Sequence, residues 1–174
     1  MKRMQLGAYK QKILIGVLLV LAGFAAAQVQ NLKREPLGIE QQDGIRVVYQ
    51  IKTDGWKKGV GSGLHYVEKL ANAYAGMGLA DENFEIYAVL HGDAGYWLLK
   101  DGAYRKETGK DGNNPNKAIV ERLIQRGVSV ELCAQTMKSH GWEAGDVLPG
   151  VTLVIGAYPR IIDLQQRGCA YIRF

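Results

Sequence analysis

The sequence predicts an α/β fold with a mostly parallel five-stranded sheet covered by helices on both faces. Three observations predict it. Strand-like and helix-like runs alternate along the chain from residue 45 onward, which is the order a parallel sheet requires because each crossover between parallel strands is usually a helix. Glycine, proline and aspartate bound most of these runs, as turns demand. No repeat and no second hydrophobic block interrupts the series, so a single sheet has to gather all the strands.

Residues 1–27 read as a signal peptide. Lys2, Arg3, Lys10 and Lys12 form a positive n-region, an apolar run follows, and Ala25-Ala26-Ala27 offers an A-x-A cleavage site. The apolar run from Ile13 to Ala27 falls short of the roughly 18 to 20 residues that span a bilayer, so an uncleaved anchor is the second reading. No cysteine follows the run, which speaks against a lipoprotein. The whole chain carries 22 Lys+Arg and 17 Asp+Glu. Removing the four basic residues of this segment leaves 18 against 17, so the basic balance belongs to the targeting segment. Nucleic-acid binding loses its support, because it rests on a basic patch that neutralises phosphates. The expected location is periplasmic or otherwise exported, with no membrane contact after cleavage.

Residues 28–44 are polar and without period, a linker or N-terminal arm. The domain then runs from 45 to 174. Ile45 to Ile51 (IRVVYQI) is β-branched and bounded by Gly44 and Asp54-Gly55, a first strand. A glycine-rich turn, Gly55 to Gly63, leads to a helix whose apolar stripe is Leu64, Val67, Leu70, Ala71, Tyr74 and Met77. The turn lacks the P-loop Lys-Ser/Thr ending and the full G-x-G-x-x-G pattern, so its glycines read as turn chemistry rather than a phosphate cradle. Phe84 to Leu90 (FEIYAVL) is the second strand, ending at His91-Gly92. Ala94 to Tyr104 reads as a short helix and Arg105 to Asn113 as a polar loop. Asn114 then caps a helix with Pro115 at its first position, carrying Ile119, Val120, Leu123 and Ile124 inward. Val128 to Leu132 is the third strand. Val151 to Ile155 is a buried fourth, Pro159 opens a helix that ends at Gly168, and Cys169 to Phe174 is the last strand.

The chemistry concentrates where the third strand ends. Cys133 follows that strand at once and precedes a short helix stopped by Gly141, so it stands at a strand-to-helix junction where unpaired backbone N–H groups favour a thiolate. The bland alternative is a buried free cysteine acting as a small hydrophobe. In parallel sheets chemistry gathers at the carboxyl ends of strands, and Thr53, His91 and Cys133 all lie at or just past such ends. If their strands are neighbours, His91 reaches the Cys133 thiolate as a helper; otherwise it is a loop histidine. His140, seven residues after Cys133, reads as a cation complementing the helix C-terminus. Cys169 begins its strand, so a parallel sheet places it at the opposite rim, roughly 15 Å from Cys133 over about five residues, beyond disulfide reach. No H-x-x-x-H or C-x-x-C spacing exists, so no metal site is expected, and no cofactor motif is present. Trp56, Trp97 and Trp142 read as core or interface aromatics.

Nearly the whole chain after residue 44, and most specifically its second half, resembles the DsrE/DsrF-like family of sulfur-relay proteins. The matching residues are Cys133, Thr136, Met137, Gly141, Asp146, Leu148, Pro149, Gly150 and Val151, followed by Gln166, Gly168, Ala170, Tyr171 and Ile172. Cys169 departs from the pattern, standing where the family has an aromatic residue. The resemblance implies a three-layer α/β/α sandwich, a homo-oligomer (trimer or hexamer), and a cysteine that holds sulfur as a persulfide between donor and acceptor proteins or small sulfane-sulfur compounds. By position that cysteine is Cys133. The resemblance thus favours a sulfur carrier rather than a turnover enzyme. The alternative is a non-catalytic oligomeric binding or scaffold module with a structural Cys133.

Overall fold

From Glu40 on, a computed structural model, which describes residues 36–174, builds one α/β unit. The signal-peptide reading lies outside the described residues, as does the first part of the linker, residues 28–35. Strand β1 (Ile45–Ile51) is followed by a hairpin of β2 (Trp56–Lys57) and β3 (Val60–Gly61), then α1 (Ser62–Gly76) and β4 (Phe84–Leu90). Two helices, α2 (Asp101–Thr108) and α3 (Lys117–Gln125), lead to β5 (Ser129–Cys133), which runs directly into α4 (Ala134–His140). The chain ends with β6 (Thr152–Val154), α5 (Ala157–Gln166) and β7 (Ala170–Arg173).

The five long-range strands pair in the order β6-β5-β4-β1-β7, and every pair is parallel. The expected mostly parallel five-stranded sheet is therefore what forms. Its order explains its layers. Successive steps from β1 to β4, β5 and β6 move one way across the sheet, and right-handed crossovers put their helices on one face. The step from β6 back to β7 runs the opposite way, so the same handedness puts α5 on the other face.

Alternating side chains follow suit. Val47, Tyr49, Ile51, Ile86, Ala88, Leu90, Val130 and Leu132 pack against α1 and α3 in one large core. On the other face Val48, Val89 and Cys133 meet Ala157, Ile161 and Leu164 of α5 in a much smaller one. β6 is an exposed edge rather than a buried strand, because no described residue pairs with its outer side and Leu153 faces solvent.

Several local expectations shift for tertiary reasons. The segment after His91 is a 3₁₀ turn, Gly92–Leu98, and the true helix α2 starts only at Asp101 and runs to Thr108, through residues read as loop. The break falls where Asn114 Nδ2 donates to the carbonyls of Trp97 (2.8 Å) and Leu99 (2.7 Å). Asn114 is thus a buried strut, not the helix cap, and α3 starts at Lys117, two residues later than the sequence suggests. The glycine-rich turn contains the β2–β3 hairpin, with Lys58 and Gly59 both at positive φ, as a two-residue primed turn requires. Gly61 donates its N–H to Asn116 Oδ1 at 2.6 Å, and a Cβ there would strike the Trp97 ring. Close packing, not anion binding, explains that glycine.

Among the described residues no helix is long and apolar enough to cross a membrane.

Candidate functional site

Register builds the site. Leu90 of β4 pairs with Leu132 of β5, so His91 and Cys133 come next to each other at the carboxyl ends of adjacent parallel strands. Both continue the face that carries Val89, because strand side chains alternate. The strands are neighbours, which was the condition for His91 to stand beside the cysteine.

Cys133 is the N-cap residue of α4, with φ −68° and ψ 119°. The first-turn N–H groups of α4 have no intrahelical acceptors. The loop after β4 is tied to the same helix, since Gly92 donates its N–H to Thr136 Oγ1 at 3.0 Å. Above these strand ends lies a cavity of about 520 Å³. His91, Cys133 and Thr136 form its floor, and Ile155, Ala157 and Tyr158 from the entry to α5 form its wall. Cys133 is only 5% exposed, and it lines this cavity.

His91 is equally buried. Its Nε2 meets Gln50 Nε2 of β1 at 2.9 Å, and its ring packs edge-on against Tyr158. Burial, with the nearby Lys52 and Arg173 cations, pushes its pKa below the ordinary histidine value. The imidazole is therefore neutral at pH 7.

The other predicted residues disperse. Thr53 follows β1 on the same rim but does not line the cavity. His140 ends α4 and turns to Glu107, with Nδ1 to Oε1 at 2.8 Å, while stacking on Trp142. Cys169 precedes β7; it and Cys133 are both free thiols. Two strands separate β5 from β7, so lateral distance as well as rim position keeps them apart. Burial pushes the Cys169 thiol up from its ordinary pKa, which suits packing rather than nucleophilic chemistry. Trp97 is a core residue, with Trp56 packed edge-on against it. Among the described residues no group of three or more His, Cys, Asp or Glu side chains could hold a metal ion.

Two features escaped the sequence reading. Gln50 is buried in β1 and couples to His91, and Tyr171 Oη donates to Gln50 Oε1. Glu131 of β5 has no solvent exposure and receives Arg160 of α5 through two hydrogen bonds, at 2.9 and 2.7 Å. That bidentate pair fastens the helix whose first turn walls the cavity. The available signal was a polar residue at a position whose neighbours are all apolar: Gln50 in IRVVYQI and Glu131 in VSVELC.

The fold has relatives. The protein of unknown function MTH1491 from Methanobacterium thermoautotrophicum is 25% identical, covering 75% of this chain and 99% of its own, with a TM-score of 0.57. The ychN protein from E. coli is 19% identical over 75% of this chain and 100% of its own, with a TM-score of 0.51, and shows the shared fold. No curated protein matches the sequence. The DsrE/DsrF-like family model matches residues 64–174, a span that contains His91, Cys133 and the whole cavity wall, and the chain belongs to the DsrE/DsrF-like family.

Proposed function

We propose that the protein is an exported sulfur carrier that holds sulfane sulfur as a persulfide on Cys133. The family is generally tied to sulfur relay. The observation that carries the finer reading is the cavity that opens onto Cys133 beside a neutral His91. Loading begins when the Cys133 thiolate attacks the outer sulfur of a hydropersulfide, R–S–SH. The Sγ–S bond forms, the S–S bond of the donor breaks, and RS⁻ leaves with the electron pair and takes up a proton. In unloading, an acceptor thiolate attacks the same outer sulfur and Cys133 leaves as thiolate. Sulfur changes hands without net oxidation, so the cycle calls for no redox cofactor. Donor and acceptor are partner proteins or small sulfane-sulfur compounds. Export rests on the pattern of residues 1–27.

The carrier is also proposed to be a homo-oligomer. Ile155, Tyr158, Ile162 and Tyr171 all expose apolar surface on or beside the thinly covered face, and a second copy of the chain would bury them.

One observation favours the scaffold alternative: Cys133 packs in an apolar cluster with Val89 and Leu164. Mass spectrometry after treatment with polysulfide separates the two. A carrier gains the mass of one sulfur atom per chain, and Cys133→Ser does not. If both label alike, or if neither labels while iodoacetamide reaches Cys133 only after denaturation, the scaffold reading replaces the carrier.

A further inference from the structure

Tyr171 of β7 meets Gln50 of β1, and Gln50 in turn meets His91, just past β4, on the thin face of the sheet. The hydroxyl of Tyr171 is a donor to Gln50 Oε1. Gln50 thus gives its Oε1 to the hydroxyl and turns its Nε2, which can only donate, to His91 Nε2 at 2.9 Å. A ring nitrogen that accepts a hydrogen bond carries no proton, so in the neutral imidazole the proton is on Nδ1. Among the described residues Nδ1 has no hydrogen-bond partner, yet it is not a sealed unsatisfied atom. His91 lines the cavity beside Cys133.

We propose that Tyr171 and Gln50 are positioning residues that hold His91 as its Nδ1–H tautomer, making it a hydrogen-bond donor to the sulfur substrate rather than a base for Cys133. The donor role rests on the carrier reading above; the tautomer does not. A neutral N–H beside the thiol serves the donor's departing sulfur, whose negative charge grows as the S–S bond breaks. A bare Nε2 aimed at the thiol would instead suit deprotonation of Cys133, and Gln50 already occupies that nitrogen. The chain also gives Tyr171, part of the motif Gly-x-Ala-Tyr-Ile at 168–172, a task that its strand position alone does not explain.

The test is nitrogen-15 NMR of the histidine rings at neutral pH, together with sulfur loading of Cys133 from polysulfide. Wild-type His91 should show a protonated Nδ1 and a bare Nε2. In Tyr171→Phe the amide is free to flip, and the signals should move to a mixture of tautomers. In Gln50→Glu the carboxylate can only accept, so the tautomer should invert, and loading should fall about tenfold, the value of one hydrogen bond of ordinary strength. A wild-type ring protonated on Nε2 overturns the proposal without any variant, and so do variants that fold but leave the tautomer unmoved. Should the tautomers behave as expected while wild-type Cys133 takes up no sulfur, the positioning network stands and the carrier reading falls.

Discussion

One face of the sheet is crowded and the other nearly bare. On the crowded side α1, α3, the 3₁₀ turn Gly92–Leu98 and Met137 of α4 bury a core that includes Leu64, Trp97 and Leu123, all without solvent exposure. On the other side, among the described residues, α5 alone covers the strands, with Ile161 and Leu164 beneath it. The difference follows from the number of crossovers made in each direction, not from a difference in strand hydrophobicity. It also says where function fits. A fully packed layer leaves no room for a ligand at close-packed density, whereas a single helix lying across five strands leaves the rim beside it open. Cys133, His91, Gln50 and Tyr171 all project on the thin side, and so does the cavity.

The thin layer replaces packing with one buried ionic clamp, and the largest effects should show the contrast. Leu64→Ala on the crowded face should cost about 3 kcal/mol, through lost transfer energy and the cavity left behind. Glu131→Gln on the thin face should cost about 2 kcal/mol: breaking one side of a buried pair is expensive, but Arg160 is partly exposed and can recover some hydration. Replacing both partners, as Glu131→Leu with Arg160→Met, should recover most of that loss. Leu64→Ala admits no such rescue by removal. Urea unfolding of the three proteins reads this out. Equal losses in Glu131→Gln and the double variant would show that the clamp is ordinary packing after all.

How much of this was legible beforehand depended on distance along the chain. Cys133 and His91 could each be placed at a strand end from strand periods, because each strand announces its own carboxyl end, whereas the sheet order alone makes the two strands neighbours. The segment from Gly92 to Thr108 could not, since Asn114 decides where the helical turns break by taking the carbonyls of Trp97 and Leu99. The cavity was equally hidden: its wall comes from residues 155–159, which reach the rim only because the last crossover reverses direction. Tyr171 and Gln50 lie 121 residues apart, and only the pairing of β7 with β1 brings them to His91.

The two faces should also fail at opposite ends of the pH scale. His91, on the thin face, titrates below the ordinary histidine value because of burial, Lys52 and Arg173. The unfolded chain takes up a proton that the folded ring refuses. Stability is therefore fully present above about pH 6.5, declines as pH falls below that value, and levels off beneath the depressed pKa. Tyr49, in the crowded core, is pushed up to about 12 by burial and by Tyr74. Its sign is the reverse: stability is present below about pH 10 and is lost as pH rises from there towards 12. His91→Asn should make the acid limb of the unfolding midpoint shallower, and Tyr49→Phe the alkaline limb. An acid limb unchanged by His91→Asn would remove His91 from the account of that face.

The smallest effect on stability should carry the largest effect on assembly. Ile155 is 80% exposed and Ile162 is 54% exposed, so Ile155→Ser with Ile162→Ser removes little buried surface from the isolated chain. Surface changes of this kind stay within about 0.5 kcal/mol, against the several-fold larger cost of Leu64→Ala. If a second copy covers the thin face, those same methyl groups are buried in the oligomer, and their loss weakens association in proportion to the apolar area given up. Sedimentation equilibrium at matched concentrations should then show the wild type as an oligomer and the double variant shifted to monomer, with an unchanged monomer unfolding curve. An oligomer that survives the double substitution would mean that copies meet elsewhere, and that the exposed side chains around the cavity mouth are free for the proteins that bring and take sulfur.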